Sequence, residues 1–418
     1  MRDLLRLESP RLQRFQRALR RQRRSAEESF WKEMHRSGTP LIEPVEGDSS
    51  RSWVTYLWRG TPGTRSIGLQ GPQTELGEFD RLDRLPGSNL WFGTWNVKND
   101  FMGVYRFFPN LPRTLPDERS TYLRLSKSGV VDPLNPIQFD SPTNPEFPDH
   151  PIYGKRSSVL RLKDAPHPPS GPAPSSGTPG TLTLHWMTSR RLKNRRRIWT
   201  YVPSRAGKSP AEPRLVIFFD GFAYVNEIAA PSTLDGLIER GVISPTYAVF
   251  VDALDQPTRS RELPCNPEFE VFLLKELLPW IRRALGRSFT AERTSLVGFS
   301  YGGLCATYCA MRHPRRFGGV ISQSGSFWWR PKDSDEPVAL AREFMRRPKL
   351  PLRIYMDVGR YEGSAPTENG SGQLGSNRHL RDVLRLLGYP IMFRTYNGGH
   401  DTYCWRQTLI DALEWVLS

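Results

Sequence analysis

The sequence is poor in cysteine. Four cysteines in 418 residues (Cys265, Cys305, Cys309 and Cys404) form no CxxC pair and no zinc-ligand spacing. That excludes a disulfide framework and points to a reducing compartment. Also missing is any run of about 18 apolar residues, which excludes a membrane-spanning helix. The residues after Met1 are charged rather than apolar, so no secretory signal is expected and a cytoplasmic location follows. Acidic charge is in deficit, with 59 Lys and Arg against 43 Asp and Glu, a net charge of +16. Apolar residues, at 38%, still suffice for packed cores, and the length suits two domains.

Part of the basic excess is concentrated. Met1–Arg24 carries nine arginines against Asp3 and Glu8. The stretch RLQRFQRALRRQRR could form an amphipathic helix with Leu12, Phe15 and Leu19 on one face. We expect residues 1–27 to be a solvated, flexible leader. No nucleic-acid-binding module accompanies it, so nucleic acid is not an expected partner. A second cluster, Arg190, Arg191, Lys193 and Arg195–Arg197, falls inside the main body. A fixed basic surface there would attract an anionic substrate.

Two textures divide the chain. Residues 28–163 hold short β-rich runs (Trp53–Arg59, Leu90–Val97, Val104–Phe108) punctuated by turn residues, the pattern of a small all-β sandwich. Asp164–Gly180, dominated by Pro, Gly, Ser and Ala, reads as an interdomain linker. From 181 to 418, apolar runs of strand length alternate with helical segments. The runs are Arg214–Gly221, Tyr247–Leu254, Arg293–Gly298, Gly318–Ser324, Leu352–Gly359 and Pro390–Asn397. Such runs are buried on both faces, which implies an α/β domain with a largely parallel sheet.

The strongest motif is Gly298-Phe299-Ser300-Tyr301-Gly302, a GxSxG between an apolar strand and a helix rich in small residues. A serine on a sharp strand-to-helix turn needs tiny neighbours two residues either side, so this context predicts a nucleophile. The chain order of an α/β-hydrolase is serine, acid, histidine. His400, in YNGGHDTYCWR just beyond a strand, is the expected base. Glu362, in the loop after the strand Leu352–Val358, is the expected acid, with Asp357 as the alternative. The backbone N–H groups of Tyr301 and Phe222 are the expected oxyanion donors. Asp220 precedes the serine and is not expected to be the acid.

Together these residues resemble the enterochelin (ferric enterobactin) esterase family, an esterase-D-type branch of the α/β-hydrolases. The most specific stretches are Arg191–Trp199, Phe250–Asn266, VGFSYGGL, Ser322–Trp329 and Gly398–Arg406, and the resemblance runs from about Phe30 onward. It implies a sandwich-like N-terminal domain followed by an α/β-hydrolase domain. It also implies hydrolysis of the serine-lactone esters of a tris-catecholate siderophore inside the cell, freeing iron. Iron would enter with the substrate, so no cofactor or protein-bound metal is expected. The substrate implied is a trianionic ferric complex with catechol rings. Arg259 and Arg261 are then candidates to meet the catecholates, and Trp328 and Trp329 to form an aromatic wall. Some relatives work with a Ser–His dyad, so Glu362 and Asp357 both stay open as the third member. Two other readings are a feruloyl-esterase-like carboxylesterase with the same triad and a catalytically silent siderophore-binding protein. The basic leader and the Pro/Ser-rich linker depart from the family pattern.

Overall fold

The computed structural model describes residues 7–71, 79–112, 125, 127–148, 153–166, 178–204, 212–363 and 372–418. The chain divides into two units. One comprises Met1–Ser141, Gly154–Pro166 and Asn397–Gly399; the other comprises Pro142–Tyr153, His167–Tyr396 and His400–Ser418. Residues 142–153, read from sequence as part of the N-terminal domain, therefore group with the second unit. There Asn144 accepts a hydrogen bond from Arg197 at 2.7 Å, and Tyr153 packs its ring on Phe222. Of the expected linker, residues 167–177 lie outside the described residues, and Asp164–Pro166 belongs to the first unit.

The first unit begins with α1 (Pro10–Arg21) and α2 (Arg23–Ser37). This corrects the expectation of a flexible leader. Ser9 caps α1 by accepting from the Leu12 N–H, and Pro10 opens the first turn. Leu12 and Phe15 are buried with Phe30, Trp31 and Met34 of α2, and Phe15 stacks on Phe30. The helical period was legible in the leader; its apolar partner lay further along the chain.

Among the described residues nine strands follow: β1 (Leu41–Val45), β2 (Asp48–Arg59), β3 (Ile67–Gln70), β4 (Asp80–Arg81), β5 (Asp83–Arg84), β6 (Leu90–Lys98), β7 (Met102–Pro109), β8 (Gln138–Ser141) and β9 (Lys155–Arg161). They form two antiparallel sheets, ordered β1-β2-β6-β5 and β4-β3-β7-β9-β8. Tyr56 and Trp58 of β2 meet Tyr105 and Phe107 of β7 at ring separations of 4.7 and 5.3 Å. The two sheets thus face one another as a small sandwich.

The second unit is built on one sheet. Its strands are β10 (Thr181–Ser189), β11 (Asn194–Val202), β12 (Arg214–Phe219), β13 (Thr246–Val251), β14 (Thr294–Phe299), β15 (Gly319–Gln323), β16 (Arg353–Gly359) and β17 (Ile391–Tyr396). The order is β10-β11-β13-β12-β14-β15-β16-β17. Pairings from β13 to β17 are parallel, and β10 and β11 add an antiparallel edge. Alternate residues serve opposite cores: Ile217, Leu296, Val320 and Ile354 on one face, Val216, Val297, Ile321 and Tyr355 on the other. Burial on both faces explains why these strands read as unbroken apolar runs.

The helical segment Phe269–Leu285 is not a plain α-helix. It contains a π turn at Leu273–Leu277, directly before the Leu278–Leu285 helix whose first turn holds Pro279. Proline has no N–H to give the preceding turn, and the widened turn accommodates it. Among the described residues no helix is long and apolar enough to cross a membrane.

Candidate active site

Five adjacent parallel strands bring the candidate residues to one edge of the sheet. Beyond β12 come Asp220 and Phe222, beyond β14 Ser300, beyond β15 Ser324 and Ser326, beyond β16 Glu362, and beyond β17 His400. The C-terminal ends of parallel strands are where open α/β sheets place ligands.

Ser300 occupies a strained turn, with φ 54° and ψ −122°, immediately before the helix Tyr301–Arg312. The flanking glycines are sterically required. A Cβ on Gly298 would stand 2.2 Å from the Gly302 carbonyl carbon, and one on Gly302 would stand 2.9 Å from Asp220 Oδ2. The turn is pinned to the next strand, because the Ser300 N–H donates to Gln323 O at 2.9 Å and the Ser326 N–H to Ser300 O at 3.0 Å. Ser300 Oγ lies 3.2 Å from Ser326 Oγ. Among the described residues no hydrogen bond joins Ser300 Oγ to His400.

His400 Nδ1 lies 2.6 Å from Glu362 Oε2. A carboxylate only accepts, so Nδ1 carries a proton, and in the neutral ring this tautomer leaves the lone pair on Nε2. The other carboxylate oxygen is held as firmly. Glu362 Oε1 accepts from Gly359 N–H at 2.7 Å, Ser324 Oγ at 2.8 Å and Tyr396 OH at 3.4 Å. Trp405 stacks on Phe299 and meets the His400 ring edge-on at 4.8 Å, while its indole N–H donates to Ser324 Oγ at 3.0 Å. Asp401 caps the helix Thr402–Leu417 by accepting from the Cys404 N–H, which fixes the chain next to the imidazole. Burial pushes the Asp401 carboxyl up to about 6.

Asp357, the alternative acid, is fully buried at the end of β16 and makes no hydrogen bond to His400. Burial, reinforced by the negative charge of Glu362, raises its carboxyl to about 7. Tyr301 opens the Tyr301–Arg312 helix, and Phe222 lies in the first turn of the helix Gly221–Asn226. Trp328 donates its indole N–H to Gln373 Oε1 at 2.5 Å and tilts against Tyr301, while Trp329 packs against the core. Arg261 is exposed, with Thr258 Oγ1 at 3.4 Å.

Arg259 corrects its expectation. It is only 6% exposed, and its guanidinium grips Asp220 with two bonds of 2.6 and 2.7 Å, with Phe299 O a third acceptor at 3.4 Å. Such a planar fork on a carboxylate is not a free cation for a ligand. The pair instead braces the turn on which Gly302 rests. Replacing Arg259 by alanine leaves Asp220, 1% exposed, as an uncompensated buried charge, a loss of about 3–5 kcal/mol. Melting temperature should fall, and turnover of neutral and anionic esters should fall together. A loss confined to the anionic ester, with the melt unchanged, would return Arg259 to the ligand.

The second basic cluster is likewise internal in part. Arg196 and Arg197 are buried against Glu262 and Asp252, at 2.7 and 2.6 Å, and Arg191 pairs with Glu268. The motif Arg191–Trp199 is therefore largely scaffold. The residues that sequence reasoning missed are Ser324, Ser326, Tyr396 and Trp405. Ser324 and Ser326 lie in the Ser322–Trp329 stretch and Trp405 in Gly398–Arg406, while Tyr396 ends β17 inside the run Pro390–Asn397; none of these stretches gave a hint of the partner each side chain meets. Among the described residues no group of three or more His, Cys, Asp or Glu could hold a metal ion.

Residues 189–416 match the putative esterase family, and residues 53–170 match the enterochelin esterase N-terminal family. The iron(III) enterobactin esterase of Dickeya dadantii is 31% identical, with 94% of each chain covered. The crystal structure of the Shigella flexneri enterobactin esterase, obtained in the presence of enterobactin, superposes with a TM-score of 0.73 at 26% identity. It covers 93% of this chain and 97% of that one. The ferric enterobactin esterase of Salmonella typhimurium gives 0.74 at 26% identity, covering 93% and 98%. Two family matches in order, over two units with the matching folds, lead to one conclusion: the chain belongs to the enterochelin esterase family of carboxylic ester hydrolases.

Proposed function

We propose that this protein hydrolyses the serine-lactone ester bonds of a ferric catecholate siderophore of the enterobactin type, in the cytoplasm, so that iron is released. The observation that carries the reading is the Glu362–His400 pair and a strained Ser300 at the same edge of one sheet, in a chain similar over nearly its whole length to iron(III) enterobactin esterases. The match over 53–170 favours this reading over a feruloyl-esterase-like one, which leaves the N-terminal unit without a counterpart. Four free cysteines suit a reducing compartment.

The chemistry follows from the geometry. His400 Nε2 takes the Ser300 proton as Oγ bonds to the ester carbonyl carbon. The backbone N–H groups of Tyr301 and Phe222 receive the oxyanion, and the end of the Tyr301–Arg312 helix adds its positive dipole. The leaving serine oxygen takes the proton from His400, and the acyl group stays on Ser300. Water, deprotonated by His400, then releases the acid and restores the hydroxyl. Glu362 holds the imidazole in the required tautomer and offsets its charge. Arg261, Trp328 and Trp329 remain candidates for the catecholate rings, and no resident metal is needed because iron arrives with the substrate.

The test is incubation of the purified protein with ferric and iron-free enterobactin-type trilactones, products being resolved by chromatography and mass. Linear serine esters at catalytic rates are expected. Intact trilactone alongside hydrolysis of simple aryl esters would overturn the substrate, and binding without either hydrolysis would overturn the enzyme.

A further inference from the structure

The turn Ser324-Gly325-Ser326 touches both ends of the catalytic arrangement. Ser324 sits at φ 47°, a left-handed conformation that a residue with a Cβ adopts only under constraint. The constraint is visible. Asn377 Nδ2 donates to Gly325 O at 2.7 Å and Gln373 Nε2 to Gly325 O at 2.8 Å, and Gln373 Nε2 also reaches Ser324 O. The Ser324 N–H donates to Asp357 O at 2.9 Å. From this fixed turn Ser324 Oγ reaches Glu362, and two residues on Ser326 Oγ reaches Ser300 Oγ.

The order of strands gives Ser326 its side. β15 lies between β14, which carries Ser300, and β16 and β17, which lead to Glu362 and His400. β12, which leads to Phe222, lies on the other flank of β14. Ser326 therefore approaches Ser300 from the flank of the strands that lead to the base, opposite the flank that leads to Phe222. It is 2% exposed, and the nucleophile's hydroxyl is its one side-chain partner among the described residues.

We infer that Ser326 is a positioning residue: its hydroxyl donates to Ser300 Oγ, holding the nucleophile on the base side and leaving the Ser300 proton for His400. This rests on the reading of Ser300 as nucleophile. A serine oxygen has two lone pairs. Ser326 occupies one, so the Ser300 O–H is left to point elsewhere and the hydroxyl meets its base without a search. The backbone bond from Ser326 N–H to Ser300 O locks the distance between the two side chains.

The test uses the full-length protein, a neutral aryl ester and a fluorophosphonate, whose P–F bond breaks as a bond from Ser300 Oγ to phosphorus forms. Ser326→Ala should lower kcat and the phosphonylation rate about tenfold, the kinetic equivalent of one ordinary hydrogen bond, with KM unchanged. Ser326→Thr, which keeps a hydroxyl, should recover most of the loss. The acid limb of the pH–kcat/KM profile should keep its midpoint, because Ser326 touches neither Glu362 nor His400. A loosened turn would move that midpoint too, since Ser324 in the same turn donates to Glu362. Rates for Ser326→Ala within twofold of the parent, or a midpoint that moves with kcat, would overturn the inference. Ser300→Ala runs beside it: if that variant is still phosphonylated, the nucleophile itself has been misassigned, which is a different failure.

Discussion

Ester hydrolysis falls about 10⁴- to 10⁶-fold when Ser300 is replaced by alanine, the loss typical of removing one member of a cooperating triad. The substitution is clean for structural reasons. The backbone of residue 300 sits at φ 54° and ψ −122° with serine already present, so alanine meets the same strain with less bulk. Hydrogen bonds through the backbone of residue 300, to Gln323 O and from Ser326 N–H, survive the change. The melt should accordingly stay close to the parent's. Steady-state rates on a neutral aryl ester and on a ferric trilactone are the measurement. Residual turnover within tenfold of the parent on either would remove Ser300 from the role.

Much of this site was legible because its constraints are local. The GxSxG turn is written into the sequence by the lack of space: Gly298 and Gly302 stand where a Cβ would strike backbone or Asp220. The strands were legible because burial on both faces keeps their centres apolar: Leu215–Phe219 in β12, Ala248–Val251 in β13, Leu296 and Val297 in β14, Val320 and Ile321 in β15, and Ile354–Met356 in β16. Charge was the poorer guide. Arg259, Arg196 and Arg197 look in sequence like arginines awaiting an anion, yet each is closed off by a carboxylate between 39 and 66 positions away in the chain. Sequence shows a charge but not its distant partner, and a buried pair and a free patch are written alike. The leader failed for the same reason, since the face bearing Leu12 and Phe15 is completed by Phe30, Trp31 and Met34. Ser324 and Ser326 were invisible because their effect depends on the neighbour of β14 in the sheet, not on any spacing along the chain.

The acid is decided by two substitutions with opposite expectations. In Glu362→Gln the amide has one acceptor oxygen, and three donors claim it: Gly359 N–H, Ser324 Oγ–H and Tyr396 OH. The NH₂ group is then left facing His400 Nδ1, where the carboxylate had accepted. The imidazole must turn Nδ1 into an acceptor and carry its proton on Nε2, the tautomer that cannot deprotonate Ser300. Turnover should fall about 10²- to 10⁴-fold, the scale seen when a triad acid becomes an amide. Asp357→Asn should leave turnover within a few-fold and act on stability instead. Its carboxyl stands at about 7 in the folded chain against an ordinary 3.8, chiefly because it is buried. Between those values the folded state holds a proton that the unfolded state has released. Asp357 therefore costs nothing below about pH 4, lowers stability progressively as pH rises toward 7, and leaves it low above that. Urea melts should show Asp357→Asn more stable than the parent by a few kcal/mol at pH 8 relative to the difference at pH 4. The reverse pattern, with Asp357→Asn losing turnover and Glu362→Gln retaining it, would make Asp357 the acid. Small effects from both would mean that Ser300 and His400 suffice as a dyad.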